Sequence, residues 1–416
     1  MIATEFSPSQ IAAWQRTLAE LIRFESVFEH EHDIVAYVAR CIEALGLRAE
    51  YVVHDPVRLR ATPGAWPPFS DVPGRASLVT RVTGTGGGRS LVFNAPMDIV
   101  PAGDLASWTH PPFAAEIASN RIYGRGATDD KAGVAIALAV LELVAERKGE
   151  LQGDVLFQFV LEDETGGNGT LLCVESGQVA DAAVIIDGTR SDRAIVQHAG
   201  TARFGITLQG TPVSISVSHL GVNPAAALAR LIDALSARFA ALNTRNAAPW
   251  TSFPSPYQMV LHAYESIGTE FTIPEFAHAD VYITFPPPST LLEMRTFIET
   301  EAQKLAEEWR LPHQPAFTWD DFGVDPCTTP SEGLVAEMAQ AAADCRMPAI
   351  AFGPSTGCSD MRHFARRGIP CVLYGPGAGY NPHRPDEYYE LSDLPKMAAF
   401  FLRLCQRWCT TTSSTS

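Results

Sequence analysis

The chain has 416 residues, 46% of them hydrophobic and 19% charged, enough for two domains with a sizeable buried core. A formal net charge of −16, dispersed and not gathered into a tail, argues against nucleic acid or an anionic membrane surface as a partner. No apolar run reaches the roughly 18 residues of a membrane span, and residues 1–6 have neither a basic nor an apolar leader pattern, so a cytoplasmic protein is expected.

In chain order, apolar residues at Ile11, Trp14, Leu18, Leu21 and Ile22 predict a helix over 9–24. The same spacing at Ile34, Val38, Cys41, Ile42 and Leu45 predicts a second over 30–45, with Gly46 placed to end it. Residues 53–75 are Pro-rich and read as irregular, and two strand-like runs follow at 77–82 and 90–93. Residues 132–145 form a nearly all-apolar helix, buried on most sides. Residues 154–161 and 182–186 have the β-rich texture of interior strands in a helix-covered sheet.

Beyond residue 202 the pattern changes. A strand at 203–209, a helix at 223–239, strands near 258–264 and 279–285 and a long helix at 291–309 form a self-contained block. A further series at 333–343, 361–366, 369–374 and 394–408 then resumes the first pattern. The expected fold is therefore α/β: a larger domain with a mixed sheet flanked by helices (1–201 and 318–416), into which a smaller α+β domain (202–317) is inserted. The Ser/Thr tail from Thr410 to Ser416 is expected to be disordered. The eight cysteines form no CxxC pair; Cys405 and Cys409, one helical turn apart, read as packed reduced thiols.

Acids and a histidine gather just beyond predicted strands: Asp98, Asp129 in a Gly-flanked loop, Glu162-Asp163-Glu164, Asp187 and His383. Strand ends are where open α/β sheets bind ligands, and carboxylates with an imidazole suit zinc and similar divalent ions. Each segment alone is a weak signal, because strand-end acids are often solvated; five together with flanking glycines are a stronger one.

The segments Asp98-Ile-Val-Pro, Trp108-Thr-His-Pro-Pro-Phe113, Tyr123-Gly-Arg-Gly-Ala-Thr-Asp129-Asp-Lys131, Glu162-Asp-Glu-Thr-Gly-Gly-Asn-Gly169, Gly357-Cys-Ser-Asp360 and Gly375-Pro-Gly…His383-Arg-Pro-Asp-Glu387 carry a family resemblance. In this order they resemble the zinc-dependent deacylases and peptidases that include acetylornithine deacetylase, succinyl-diaminopimelate desuccinylase, aminoacylase and carboxypeptidase G. The resemblance implies that Asp129 bridges two metals, that Glu164 and His383 complete one site, and that Asp187 belongs to the other. It implies Asp163 as general base and the inserted block as a lid that also forms a homodimer.

Four positions depart from that pattern. Pro96 stands where the metal-binding histidine of a His-x-Asp motif is expected, so the second site lacks a donor and Asp98 has lost the imidazole it would orient. Asp163 replaces a glutamate, which shortens the base. Ser214 falls at the lid histidine that would stabilise an oxyanion, where losing a donor typically costs about 100- to 1000-fold. Phe285 falls at the arginine that would grip a substrate carboxylate. Ser214, Asn223 and His198 are the candidate substrate-binding residues, while His110 in its Trp-x-x-Pro-Pro-Phe motif and Lys131 read as structural. His54, in the Pro-rich segment, is a candidate to replace the missing ligand.

The leading expectation is a metal-dependent amidohydrolase or deacylase for a small N-acyl amino acid-like substrate. It would hold one Zn2+, with Mn2+ or Co2+ as alternatives. The competing readings are a repurposed one-metal enzyme (cyclisation, acyl transfer or elimination) and an inactive ligand-binding homologue.

Overall fold

The computed structural model of the chain describes residues 6–188, 190–377 and 381–410; the expected disordered tail, past its first residue, lies outside these. The helices are α1 (Pro8–Ile22), α2 (His32–Ala44), α3 (Pro56–Ala61), α4 (Lys131–Glu146), α5 (Asn168–Glu175), α6 (Pro224–Ala240), α7 (Leu291–Glu308), α8 (Glu332–Asp344), α9 (Met361–Ala365) and α10 (Leu394–Trp408). The strands begin with β1 (Glu50–Val53), β2 (Ala76–Val82), β3 (Leu91–Pro96), β4 (Glu116–Ala118), β5 (Arg121–Tyr123), β6 (Val155–Val160), β7 (Ala182–Ile185) and β8 (Arg193–His198). They continue with β9 (Gly200–Gln209), β10 (Gln258–Ile267), β11 (Phe276–Phe285), β12 (Ala316–Val324), β13 (Cys327–Thr328), β14 (Ala351–Ser355), β15 (Cys371–Leu373) and β16 (Tyr388–Glu390).

The chain divides into two compact units, Met1–Val196 with Thr328–Gly353 and Ser359–Ser416, and Gln197–Cys327 with Pro354–Cys358. The first is built on a mixed sheet of order β1-β2-β6-β3-β7-β15-β8-β13, with β14 on β8. Its centre is parallel: β3 pairs β6 and β7, and β15 pairs β7, all in the same sense. The carboxyl ends of these four strands therefore emerge together, which is the arrangement that places ligand sites in open α/β sheets. Antiparallel β1-β2 closes one side by pairing β2 with β6.

Helix α4 explains the apolar run read from sequence. Asp130 caps it by accepting the Gly133 N–H at 3.2 Å, and nearly every side chain from Lys131 to Val144 is buried. It packs against β3, α1 and α10. Phe93 on β3 is fully buried, with its ring 5.4 Å from those of Phe157 and Phe401. Ser7 caps α1, whose buried face is Trp14, Leu18, Leu21 and Ile22, as the spacing predicts.

The second unit is a four-stranded antiparallel sheet, β10-β11-β9-β12, with α6 and α7 packed on it. Asn223 caps α6, Pro224 opens its first turn, and Thr290 with Glu293 forms a capping box on α7. Strand β12 has no counterpart in the sequence reading, which set the end of the block at 317. It pairs β9 from Ala316↔Thr207 to Val324↔Thr201, and that pairing carries the unit on to Cys327. The Pro-rich stretch 53–75, read as irregular, contains α3, started by Asp55 accepting from the N–H groups of Val57 and Arg58.

Candidate metal centre

Four loops at the carboxyl ends of the parallel strands supply three acidic segments and a histidine. Asp98 follows β3, the Glu162–Glu164 turn follows β6, Asp187 follows β7, and His383 lies on the loop between β15 and β16. Asp129 comes from the turn that leads into α4.

Three of them converge. His383 Nε2 lies 3.0 Å from Glu164 Oε1 and 3.4 Å from Asp129 Oδ2, and one ligand atom of each residue lies within 4.8 Å of the others. Around an ion with bonds of about 2.0–2.1 Å, tetrahedral donors stand about 3.3 Å apart, so these separations suit a shared divalent ion. The histidine is pushed up to about 10 by its bonds to Asp129 and Glu164.

The electrostatics point the same way. Burial, with Asp360, Asp98, Glu164 and Asp129 nearby, holds the Asp163 carboxyl well above the usual range. Burial, with Asp163, Asp129 and Asp130 nearby, does the same to Asp187, and burial followed by Glu164 does it to Asp98. Burial also raises Glu164, against the opposing bond from His383. Asp187 Oδ1 is buried with no hydrogen-bond partner among the described residues. Crowded carboxylates with an orphaned oxygen are relieved by a cation, so the donor set fits a divalent metal.

The turns are held by further residues that sequence reasoning did not assign. Glu387 Oε1 accepts the N–H groups of Thr128 and Asp129 at 2.9 and 3.1 Å, and its Oε2 takes Arg125 Nη1 at 2.5 Å. Glu387 is only four residues past His383, so one loop both presents the imidazole and fixes the Asp129 turn. Asp386 accepts from the backbone of Thr109 and His110, which ties in the Trp-x-x-Pro-Pro-Phe motif. The signal was the acid pair closing the His383 motif.

Other expectations are corrected. Asp98 has not been left idle by the loss of the histidine: it accepts the N–H groups of Asp163 and Glu164 at 3.2 and 3.1 Å. Pro96 is buried at the last position of β3 opposite Val160, and the Met97 N–H continues the ladder to the Val160 carbonyl at 2.8 Å. A proline, which has no N–H to give, fits this strand end without breaking a bond. His54 does not replace the missing ligand; it is buried between Glu162 and Ser77, 2.9 Å from each. Lys131, by contrast, has the structural setting expected of it, buried with its ammonium on the Phe24 carbonyl.

Ser214, Asn223, His198 and Phe285 belong to the second unit, where the structure gives each a local task. The Asn223 carboxamide oxygen caps α6 through the N–H groups of Ala225 and Ala226. Ser214 caps the short turn 215–220 and remains exposed. His198 is fully buried, its Nδ1 donating to the Ala199 carbonyl. Phe285 is fully buried in the core of this unit, across from Gly200, where a Cβ would come within 2.5 Å of the phenyl ring.

Solved structures share this fold along almost the whole chain. A tripeptidase from Staphylococcus aureus matches with a TM-score of 0.74 at 18% identity, covering 96% of this chain and 99% of its own. A dinuclear metal binding peptidase from Bacillus subtilis gives 0.71 at 16%, covering 96% and 98%. Human carnosine dipeptidase 1 gives 0.69 at 16%, covering 96% and 97%. At these identities the likeness establishes the fold. A family model, Peptidase family M20/M25/M40, matches residues 92–407 and so takes in all the acids and the histidine described above. With well over half its length so matched, the chain belongs to peptidase family M20/M25/M40, metal-dependent hydrolases of amide and peptide bonds.

Proposed function

We propose that this protein hydrolyses the amide bond of a small N-acyl amino acid-like substrate with one firmly held divalent ion, Zn2+ in the first instance and Mn2+ or Co2+ as alternatives. The observation that carries the reading is the convergence of Glu164 and Asp129 on His383 Nε2, at 3.0 and 3.4 Å, with one ligand atom of each residue within 4.8 Å of the others. When bound there, such an ion supplies Lewis-acid polarisation of the amide carbonyl and of water. Asp163 is the proton acceptor: a half-buried carboxylate with a raised proton affinity, on the turn that also carries Glu164. Asp187 and Asp129 stay available to a second, weaker site that lacks a third donor because Pro96 offers none.

Asp98 supports the one-ion reading, since both of its oxygens are engaged by the Asp163–Glu164 backbone. Purified protein, and protein reconstituted with Zn2+ or Mn2+, should carry about one tightly held ion per chain, and should release amino acid from an N-acyl panel that also includes dipeptides. Protein that takes up no ion under either condition would sink the proposal.

A second reading is a non-hydrolytic acyl transfer, cyclisation or elimination at the same centre. The shortened base at Asp163 and the serine at position 214 favour it. Robust turnover of the N-acyl panel with water as acceptor counts against it. An inactive ligand-binding homologue would keep its biological effect when Glu164 or His383 is replaced by alanine.

We also propose a homodimer through the second unit. Its support is the edge strand β10, a ten-residue strand whose Val260, Leu261, Tyr264 and Ile267 are exposed. A cytoplasmic setting is proposed in keeping with eight cysteines that form no CxxC pair in the sequence. Among the described residues no helix is long and apolar enough to cross a membrane.

A further inference from the structure

We propose that Glu162 is a positioning residue of the metal centre: its carboxylate, held by Arg75, His54 and Asn168, sets where the backbone of Asp163 and Glu164 stands. The proposal rests on the reading that Asp129, Glu164 and His383 hold a divalent ion.

Glu162 is buried, and both of its oxygens are engaged. Oε1 receives Arg75 Nη1 at 2.6 Å and lies 2.9 Å from His54 Nδ1, while Oε2 receives Asn168 Nδ2 at 2.7 Å. Each donor is itself immobilised. Arg75 grips Glu31 through Nε and Nη2, at 3.1 and 2.5 Å. His54 Nε2 meets Ser77, whose hydroxyl also accepts the Leu161 N–H at 3.2 Å. Asn168 is clasped to the Trp66 backbone in both directions, at 2.8 and 2.9 Å. A buried carboxylate is tolerated only when it is paired and fully bonded, and this one is.

The backbone shows what the anchoring does. Glu162 has φ +69°, a left-handed conformation that is costly for a non-glycine residue. Its carbonyl accepts the N–H groups of Thr165 and Gly167, which closes the turn. The next two N–H groups, of Asp163 and Glu164, are taken by Asp98. The base and the ligand therefore lie between two carboxylate anchors, Glu162 on one side and Asp98 on the other.

The convergent donor set is Asp129, Glu164 and His383, so the network reaches the centre through the backbone that runs from Glu162 to Glu164. Asp163 gives that action its weight. Its side chain has one methylene less than a glutamate, so rotamer changes absorb less of any backbone error. A misplacement of about 1 Å in a catalytic group is enough to cost about a hundredfold.

The full-length protein, stripped with chelator, is titrated calorimetrically with Mn2+ and with Zn2+, and its metal-free melting is recorded in parallel. Glu162→Gln keeps the shape but removes the charge that holds Arg75 and His54. It is expected to weaken metal binding about 10- to 100-fold, as loss of a residue supporting a ligand typically does. His54→Phe removes one donor and keeps a ring in the same space; it decides the matter by the same measure if Glu162→Gln does not fold, with a smaller loss in the same direction expected. Variants that melt lower without metal, yet bind both ions within about threefold of the wild type, would show a purely structural network and overturn the proposal. Wild-type protein that binds neither ion removes the metal reading itself and the proposal with it.

Discussion

Asp98 accepts the backbone N–H of Glu164 at 3.1 Å, and its other oxygen accepts that of Asp163 at 3.2 Å. The residue that resemblance assigns to a lost imidazole thus supports the turn that carries Asp163 and Glu164. Asp98→Asn keeps one acceptor and turns an amide N–H toward the other backbone N–H. Metal affinity should fall about 10- to 100-fold, as measured by competition with a chelator of known affinity. Unchanged affinity would mean that this turn needs no support from Asp98.

Pro96 stands where the proposed second site would need a donor. Pro96→His should raise the metal content from about one to about two ions per chain, with the second bound more weakly because Asp98 is already engaged. Elemental analysis after dialysis reads the ratio directly. A ratio that stays at one would show that the second site lacks more than a ligand.

Metal uptake should release protons. Asp98, Asp163, Asp187 and Glu164 are raised chiefly by burial, and His383 is pushed up to about 10 by Asp129 and Glu164, so the metal-free centre holds protons that an ion displaces. Calorimetry at neutral pH in two buffers of different ionisation enthalpy should show a net release of about one proton or more. Equal heats in both buffers would contradict this.

The same shifts set the sign of the pH dependence without metal. A group whose folded pKa is raised contributes stability that is complete below its unfolded value and fades as pH rises through the folded one. Chelator-treated protein should therefore lose stability as pH climbs out of the ordinary carboxylate range toward neutrality. Lys131, lowered to about 7 chiefly by burial, works the other way and adds stability only above that pH. Melting temperatures of the stripped protein between mildly acidic and neutral pH test the direction, and a rise across that interval would refute it.

The parallel strands that place the loops depend on close packing around β3. Phe93→Ala should destabilise the protein by about 3–5 kcal/mol, through lost transfer free energy and the cavity left beside Phe157 and Phe401. Urea denaturation of the metal-free protein would measure this, and a loss under about 1 kcal/mol would mean that the neighbouring rings collapse into the gap.

Much of the protein was set by local sequence. The apolar spacing of α1 and α2, the all-apolar run of α4 and the β-rich runs of β3, β6 and β7 are properties of short windows, because helix and strand periodicity depends on neighbours a few residues apart. The motifs holding Asp129, Glu164 and His383 were likewise readable, since each of the three sits in a glycine- or proline-marked turn. Tertiary structure decided the rest. Strand β12 exists because β9 offers it an edge, and no window around residue 320 reveals that partner. Asp98 serves Asp163 and Glu164 from 65 and 66 residues away, and Glu162 is held by Arg75 and His54 from 87 and 108. A carboxylate's task is set by which donors the fold brings within 3 Å or so of it. Sequence can place an acid at the end of a strand, but only the packed chain determines what it holds.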